Sequence, residues 1–123
     1  MMVRMAIRMA AVLTLVSVAH AGDQGDDEQS CDGNTYQMVE CLMAKAAEWD
    51  ERLNVAYRKV LQDAAPAQRD PLRAAQRLWI QYRDTNCLYY GRGQGTIARL
   101  DAGECKRSMT EARAKELDGL ARR

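Results

Sequence analysis

Residues 77–87 read RLWIQYRDTNC and bring Trp79, Tyr82, an adjacent Arg83–Asp84 pair and Cys87 into eleven positions. A carboxylate beside an aromatic wall suits glycoside hydrolysis, which needs two carboxylates facing one cleft at a set separation. A cysteine beside a base suits nucleophilic catalysis. The rest of the chain completes neither constellation. Its single histidine, His20, lies in an N-terminal stretch that has the features of a signal peptide. The exported chain therefore has no Ser–His or Cys–His pair, no His general base and no His-ligated metal. The cysteines lack C-x-x-C spacing, which argues against zinc. Asp26, Asp27 and Glu28 lack the alternating ligands and closing Glu of a calcium loop. The glycines of GRGQG, residues 91–95, follow no strand and lack the spacing of a phosphate-binding fingerprint. We expect no catalytic residue, no metal and no cofactor.

The N-terminus explains the compartment. Arg4 and Arg8 precede an apolar run over residues 9–18, and Ala19-His20-Ala21 has the small-x-small form of a cleavage site. The run is about half of the ~20 residues needed to span a bilayer. Residues 1–21 are read as a signal peptide cut after Ala21, giving a periplasmic or secreted protein. Cys31 follows Glu-Gln-Ser rather than a lipoprotein cleavage site, so a soluble product without membrane insertion is expected. Removing Arg4 and Arg8 from the 18 basic residues leaves 16 against 17 acidic ones, a net charge of −1. That balance does not suggest nucleic acid or an anionic membrane as partner, and gives little long-range electrostatic steering.

Cys31, Cys41, Cys87 and Cys105 all remain after cleavage. An even count in a small exported domain reads as two disulfides. Cys31–Cys41 with Cys87–Cys105 is favoured, because each closes a short loop at a helix boundary; the two crossed connectivities stay open.

The elements that would position these residues are helical. Residues 22–30, GDQGDDEQS, form an acidic lead-in with the composition of a disordered segment. Asn34 with Gln37 offers a capping box. Apolar residues then recur at three- and four-residue steps from Met38 to Val60, predicting one helix over residues 35–62. Asp70–Pro71 is a good cap-and-first-turn pair for a second helix, and Pro66 offers an earlier start. This helix carries Leu72, Ala75, Gln76, Trp79, Tyr82, Arg83 and Cys87 on one broad face and ends at Gly91. After the glycine loop, a short turn over residues 96–100 is expected. Gly103 should interrupt it, with a last helix over 105–120. The fold class is all-α: a long antiparallel helical hairpin plus a third C-terminal helix, with two disulfides, over residues 31–121.

Several of these strings together resemble the lysozyme inhibitor LprI family: Cys31 and Cys41, LNVAY at 53–57, L-x-x-A-Q-x-x-W-I-x-Y-R-D-x-x-C from Leu72 to Cys87, and Cys105 followed by TEAR at 110–113. The resemblance spans about residues 31–120. It implies an exported helical domain with paired cysteines that binds a protein partner, a lysozyme, and inhibits it. The alternative is an envelope interaction or stress module with another partner and no inhibitory activity. The sequence gives no oligomeric state.

Trp79 at helical core spacing points to scaffold. We assign Leu53, Asn54, Tyr57, Gln76, Trp79, Arg83 and Asp84 structural roles, with Arg83 level with Trp49 and Asp50 and paired to Asp50 or Asp84. Partner binding is assigned to the glycine loop and its flanks: Tyr89, Tyr90, Arg92, Gln94 and Arg99. Tyr and Arg are enriched at binding hot spots, and a loop tethered by Cys87–Cys105 loses less entropy on binding.

Overall fold

The computed structural model describes residues 30–123 and contains three helices: α1 (Thr35–Asp63), α2 (Pro66–Gly91) and α3 (Ile97–Ala121). The signal-peptide reading and nearly all of the acidic lead-in lie outside the described residues.

The start of α1 is set by a reciprocal cap. Asn34 Oδ1 accepts from the Gln37 N–H and Gln37 Oε1 accepts from the Asn34 N–H, each at 3.0 Å. Gly33, with φ +127°, turns the chain into this cap, and the Gln37 side chain occupies the space where a Cβ would stand. A two-residue link, Ala64-Ala65, leads into α2, whose first residue is Pro66. Proline suits that position because its missing N–H has no helical partner there. The earlier of the two candidate starts is therefore the one used. Asp70 does not cap the helix but pairs with Arg73 at 2.9 Å, and Pro71 lies inside α2.

The three helices run up, down and up, so α3 lies parallel to α1. The two closest backbone pairings are α1 on α3 and, less extensively, α2 on α3. The α1–α2 hairpin has the expected connectivity and register, but its two helices meet mainly through long side chains. Small residues explain the close α1–α3 approach: Ala46 and Ala56 on α1 and Gly103, Thr110 and Ala114 on α3 are all buried. Gly103 does not interrupt α3. A Cβ there would lie 3.2 Å from Leu42 Cβ, so glycine is where the two backbones can come together. The expected separate turn over 96–100 is likewise the first turn of the continuous α3.

Leu53, Ala56, Ala114 and Leu117 form the buried centre, with Trp49, Tyr57, Val60, Leu72 and Trp79 packed around it. The broad face expected for α2 is narrower than the sequence suggested. Gln76 and Cys87 are buried, Leu72, Trp79 and Arg83 are half-buried, and Ala75 and Tyr82 face solvent. A small three-helix bundle covers each helix over less than half its circumference, so residues at the stripe's edge stay wet.

Both disulfides take the favoured pairing, Cys31–Cys41 and Cys87–Cys105. The Gly103–Leu42 contact places them at the same end of the bundle.

Candidate functional site

Two groups of residues were singled out by the sequence, and the structure separates them. Within the RLWIQYRD stretch, Trp79 and Arg83 are turned toward the bundle. Arg83 reaches all three helices: its Nη1 donates to Asp50 Oδ1 of α1 at 3.2 Å and to Thr110 Oγ1 of α3 at 3.4 Å, and its Nε donates to Asp84 Oδ1 at 3.1 Å. Its guanidinium carbon lies 5.2 Å from the centroid of the Trp79 ring. Asp50 also accepts from Asn54 Nδ2 at 3.2 Å, and Asp84 pairs with Lys106 at 3.3 Å. Partial burial pushes the Asp84 carboxyl up, but the hydrogen bond and charge of Arg83, joined by Lys106, outweigh it. The Asp84 pKa consequently sits below the ordinary carboxylate value. An acid held ionised by two cations cannot donate a proton at neutral pH, so Asp84 has no general-acid role. Gln76 is buried and accepts from Arg113 Nε at 3.1 Å. Tyr57 lies against the core cluster, whereas Asn54 is exposed apart from its bond to Asp50.

The second group stands at the disulfide-bearing end. Helix α2 closes with the Arg92 N–H donating to the Leu88 carbonyl and the Gly93 N–H donating to the Tyr90 carbonyl, each at 3.0 Å. Gly95, with φ +75°, then lets five residues, 92–96, turn the chain into α3. Cys87–Cys105 bridges the two helices that hold this loop. Met109 sits on the bridge, its Sδ 3.7 Å from Cys105 Sγ and 3.9 Å from Cys87 Sγ, and receives a hydrogen bond from Asn86 Nδ2 at 3.3 Å. The bridge is thus packed on its inner side rather than left as an exposed strut.

Outside it, Tyr89 is 75% and Tyr90 43% exposed. Their rings meet edge to face, with centroids 5.3 Å apart. An open groove of about 620 Å³ runs beside them, lined by Thr85, Leu88, Tyr89, Tyr90, Arg92, Gly93 and Asp101. A smaller one, about 340 Å³, lies on the other side of Tyr90 and Asp101, against Met109 and Cys105. The structure therefore brings Tyr89, Tyr90 and Arg92 to one concave surface. Gln94 and Arg99 are exposed nearby but do not line that groove. Asp101 does line it. Its place could not be read from the sequence, because residues 96–100 and 105–120 were expected to be separate elements.

Two further features were not singled out. On α3, Arg107 bridges Glu104 at 2.6 Å and Glu111 at 2.5 Å, and Lys115 pairs with Glu111 at 2.5 Å. The Arg107 hydrogen bond lowers the Glu104 pKa, the Lys115 hydrogen bond lowers that of Glu111, and both carboxylates raise that of Arg107. Spacings of three and four on one helix were the available clue. Between α1 and α3, Trp49, Val55, Ala56 and Ala114 floor an open groove of about 610 Å³. Arg52 lies 4.6 Å and Lys115 5.3 Å from the centroid of the Trp49 ring. Among the described residues no cluster of His, Cys, Asp or Glu could hold a metal ion, and no helix is long and apolar enough to cross a membrane.

The described residues thus form a disulfide-stapled three-helix bundle with an exposed aromatic–cationic loop at one end. A family model described as Lysozyme inhibitor LprI matches residues 26–117, well over half of the chain. The chain belongs to the lysozyme inhibitor LprI family, whose members are inhibitors rather than enzymes, act in the periplasm or outside the cell, and bind a protein partner. No curated protein and no solved structure matches the chain.

Proposed function

We propose that the protein is exported by cleavage after Ala21 and inhibits a lysozyme by docking the loop between α2 and α3 into the enzyme's cleft. Family membership carries the inhibitory reading. The observation that favours this particular surface is the coincidence of Tyr89, Tyr90 and Arg92 on one groove, fixed at its root by Cys87–Cys105.

A muramidase cleft is lined by acidic catalytic groups and sugar-binding walls. Arg92 supplies a planar cation for a carboxylate, and the two exposed tyrosines supply flat surfaces for the walls. Gln94 and Arg99 extend the contact at its rim. Because the loop is tied at both ends, little conformational freedom is left to lose on docking. With a net charge of −1, affinity on this reading comes from short-range fit rather than long-range attraction.

The test is lysis of cell-wall substrate by a c-type lysozyme, followed as the oxidised, exported protein is titrated in. Saturating, stoichiometric loss of lysis is expected, and Arg92→Ala/Gln94→Ala should weaken it by about tenfold or more, the loss of roughly 1.4 kcal/mol or more of contact. Full inhibition by that variant sinks the loop model. No inhibition by folded parent protein removes c-type lysozyme as the target and favours an envelope module with another partner.

A further inference from the structure

We propose that the smaller groove beside Tyr90 takes an arginine side chain of the partner, its guanidinium seated on Asp101 and stacked against the Tyr90 ring. This rests on the docking of the α2–α3 loop argued above and names what the partner must present there.

Apart from the Tyr90 hydroxyl, the polar side chains of this groove are left as acceptors. No Lys or Arg lines it. Asn86 spends its amide nitrogen on Cys105 Sγ at 3.5 Å and Met109 Sδ at 3.3 Å, which leaves its carbonyl oxygen to accept. Ser108 donates its hydroxyl proton to the Cys105 carbonyl at 3.3 Å, so its oxygen too can only accept. Both carboxylate oxygens of Glu104 are already taken by Arg107, at 2.9 and 2.6 Å. Asp101 is different. It is exposed, and among the described residues it makes no ion pair or side-chain hydrogen bond. It does not pair even with Arg92, although the two line the larger groove together. Tyr90 stands one turn beyond Cys87 and Asp101 one turn before Cys105, so the disulfide sets the spacing of the groove's two walls.

A groove that accepts fits a side chain that only donates, and arginine and lysine donate without accepting. The acceptors come from two helices, Asn86 on α2 and Asp101 and Ser108 on α3. The planar fork of a guanidinium can meet more than one of them, whereas an ammonium is a point charge. Tyr90 adds an aromatic surface for the cation. The sulfurs of Met109 and Cys105 give the apolar stem of the side chain a place to lie. At about 340 Å³ the groove is at the small end of ligand sites, a size for a single side chain. It is continuous with the larger groove through Tyr90 and Asp101. This end of the bundle therefore offers the enzyme two charges of opposite sign, Arg92 for a carboxylate in the cleft and Asp101 for an arginine at the cleft's rim.

Two measurements on the oxidised, exported protein test this. In the first, N-acetyl-arginine amide is titrated into the protein alone and followed by nuclear magnetic resonance. The Asn86 side-chain amide, the Met109 methyl and the Asp101 backbone amide should shift together, with the millimolar dissociation constant expected of so small a ligand. Asp101→Asn should weaken this binding about fivefold or more. Because Asp101 is exposed, helical circular dichroism should not change. In the second, Asp101→Asn should raise the concentration that half-inhibits a c-type lysozyme about tenfold or more, and Asp101→Arg should raise it further. Shifts that do not gather on these residues overturn the proposal. So does binding of the citrulline or lysine analogue as tight as that of the arginine amide, or inhibition by Asp101→Asn equal to the parent's. If the parent does not inhibit c-type lysozyme, the inhibitory reading loses that target, and the arginine titration by itself decides the groove.

Discussion

Arg83 of α2 donates to Asp50 of α1 at 3.2 Å, although the two lie thirty-three residues apart. The pair fixes the register of the hairpin at the height where α3 presents the buried Thr110 hydroxyl to the same guanidinium nitrogen. The energetic weight is unequal. The Asp50 side chain is half exposed and can be rehydrated, so the ion pair itself is worth little. Thr110 is 1% exposed, and its hydroxyl has no water to turn to. Arg83→Ala should cost about 1–3 kcal/mol in denaturant unfolding, mainly through lost packing on Trp79 and an unsatisfied Thr110. Asp50→Ala should cost under about 1 kcal/mol. A double-mutant cycle giving a coupling well above that would show the pair to be stronger than its exposure allows.

Gly103 tests the small-residue seam between α1 and α3. Alanine has the better helix propensity by about 1 kcal/mol. Against that, its Cβ would stand 3.2 Å from Leu42 Cβ, on a close-packed helix pair that cannot separate locally. Overpacking of this kind typically costs about 1–3 kcal/mol. Gly103→Ala should therefore lower the thermal midpoint slightly and Gly103→Val severely. Combining Gly103→Ala with Leu42→Gly should lose less than the two single losses added together, since removing the Leu42 Cβ makes room for the new one. Simple additivity would mean the crowding is not where the structure puts it.

Gly103 also shows where sequence reading stops. A glycine in a helical stretch marks either a break or a close approach, and only the neighbour decides; Leu42 sits sixty-one residues away in the chain. Local features were readable because their partners are local: the Asn34–Gln37 cap, the end of α2 at Gly91 and the short-range disulfides. The level of Arg83 beside Asp50 was readable because a two-residue link leaves a hairpin almost no freedom of register. Tyr82 and Ala75 were misplaced because periodicity gives the direction of a buried stripe but not its width. Within the candidate site, exposure of Tyr89, Tyr90 and Arg92 followed from glycine-loop chemistry. The groove they share with Asp101 required knowing that α3 begins at Ile97 and runs unbroken.

Acid should destabilise the fold in a defined direction. Asp84, Glu104 and Glu111 all have pKa values lowered in the folded state by hydrogen-bonded cations. In the unfolded chain they return to the ordinary range near pH 4. At acid pH the unfolded state then binds more protons, so stability rises with pH through that window. The contribution is fully present above the unfolded values and is lost as pH falls through the folded ones. Stability should be flat between about pH 7 and 5 and fall below about pH 4. Glu111→Gln removes the titratable charge paired with both Arg107 and Lys115 and should shallow that fall. An unchanged acid limb in this variant would show that the ladder on α3 does not contribute.

The two disulfides should separate stability from binding. Their loops span 10 and 18 residues, so in the chain-entropy model each stabilises by about 3 kcal/mol, the longer slightly more. Cys31–Cys41 holds the entry to α1 and touches none of the residues assigned to the partner. Cys87–Cys105 holds both ends of the segment that carries them. Replacing Cys31 and Cys41 by alanine should lower unfolding stability and leave inhibition of lysozyme near that of the parent. Replacing Cys87 and Cys105 should lower stability similarly and also weaken inhibition, because the freed loop must be ordered on docking. The comparison is made well below either midpoint, with folded fractions matched by circular dichroism. Equal inhibition by the two variants would separate the Cys87–Cys105 bridge from partner binding and leave it a purely structural staple packed on Met109.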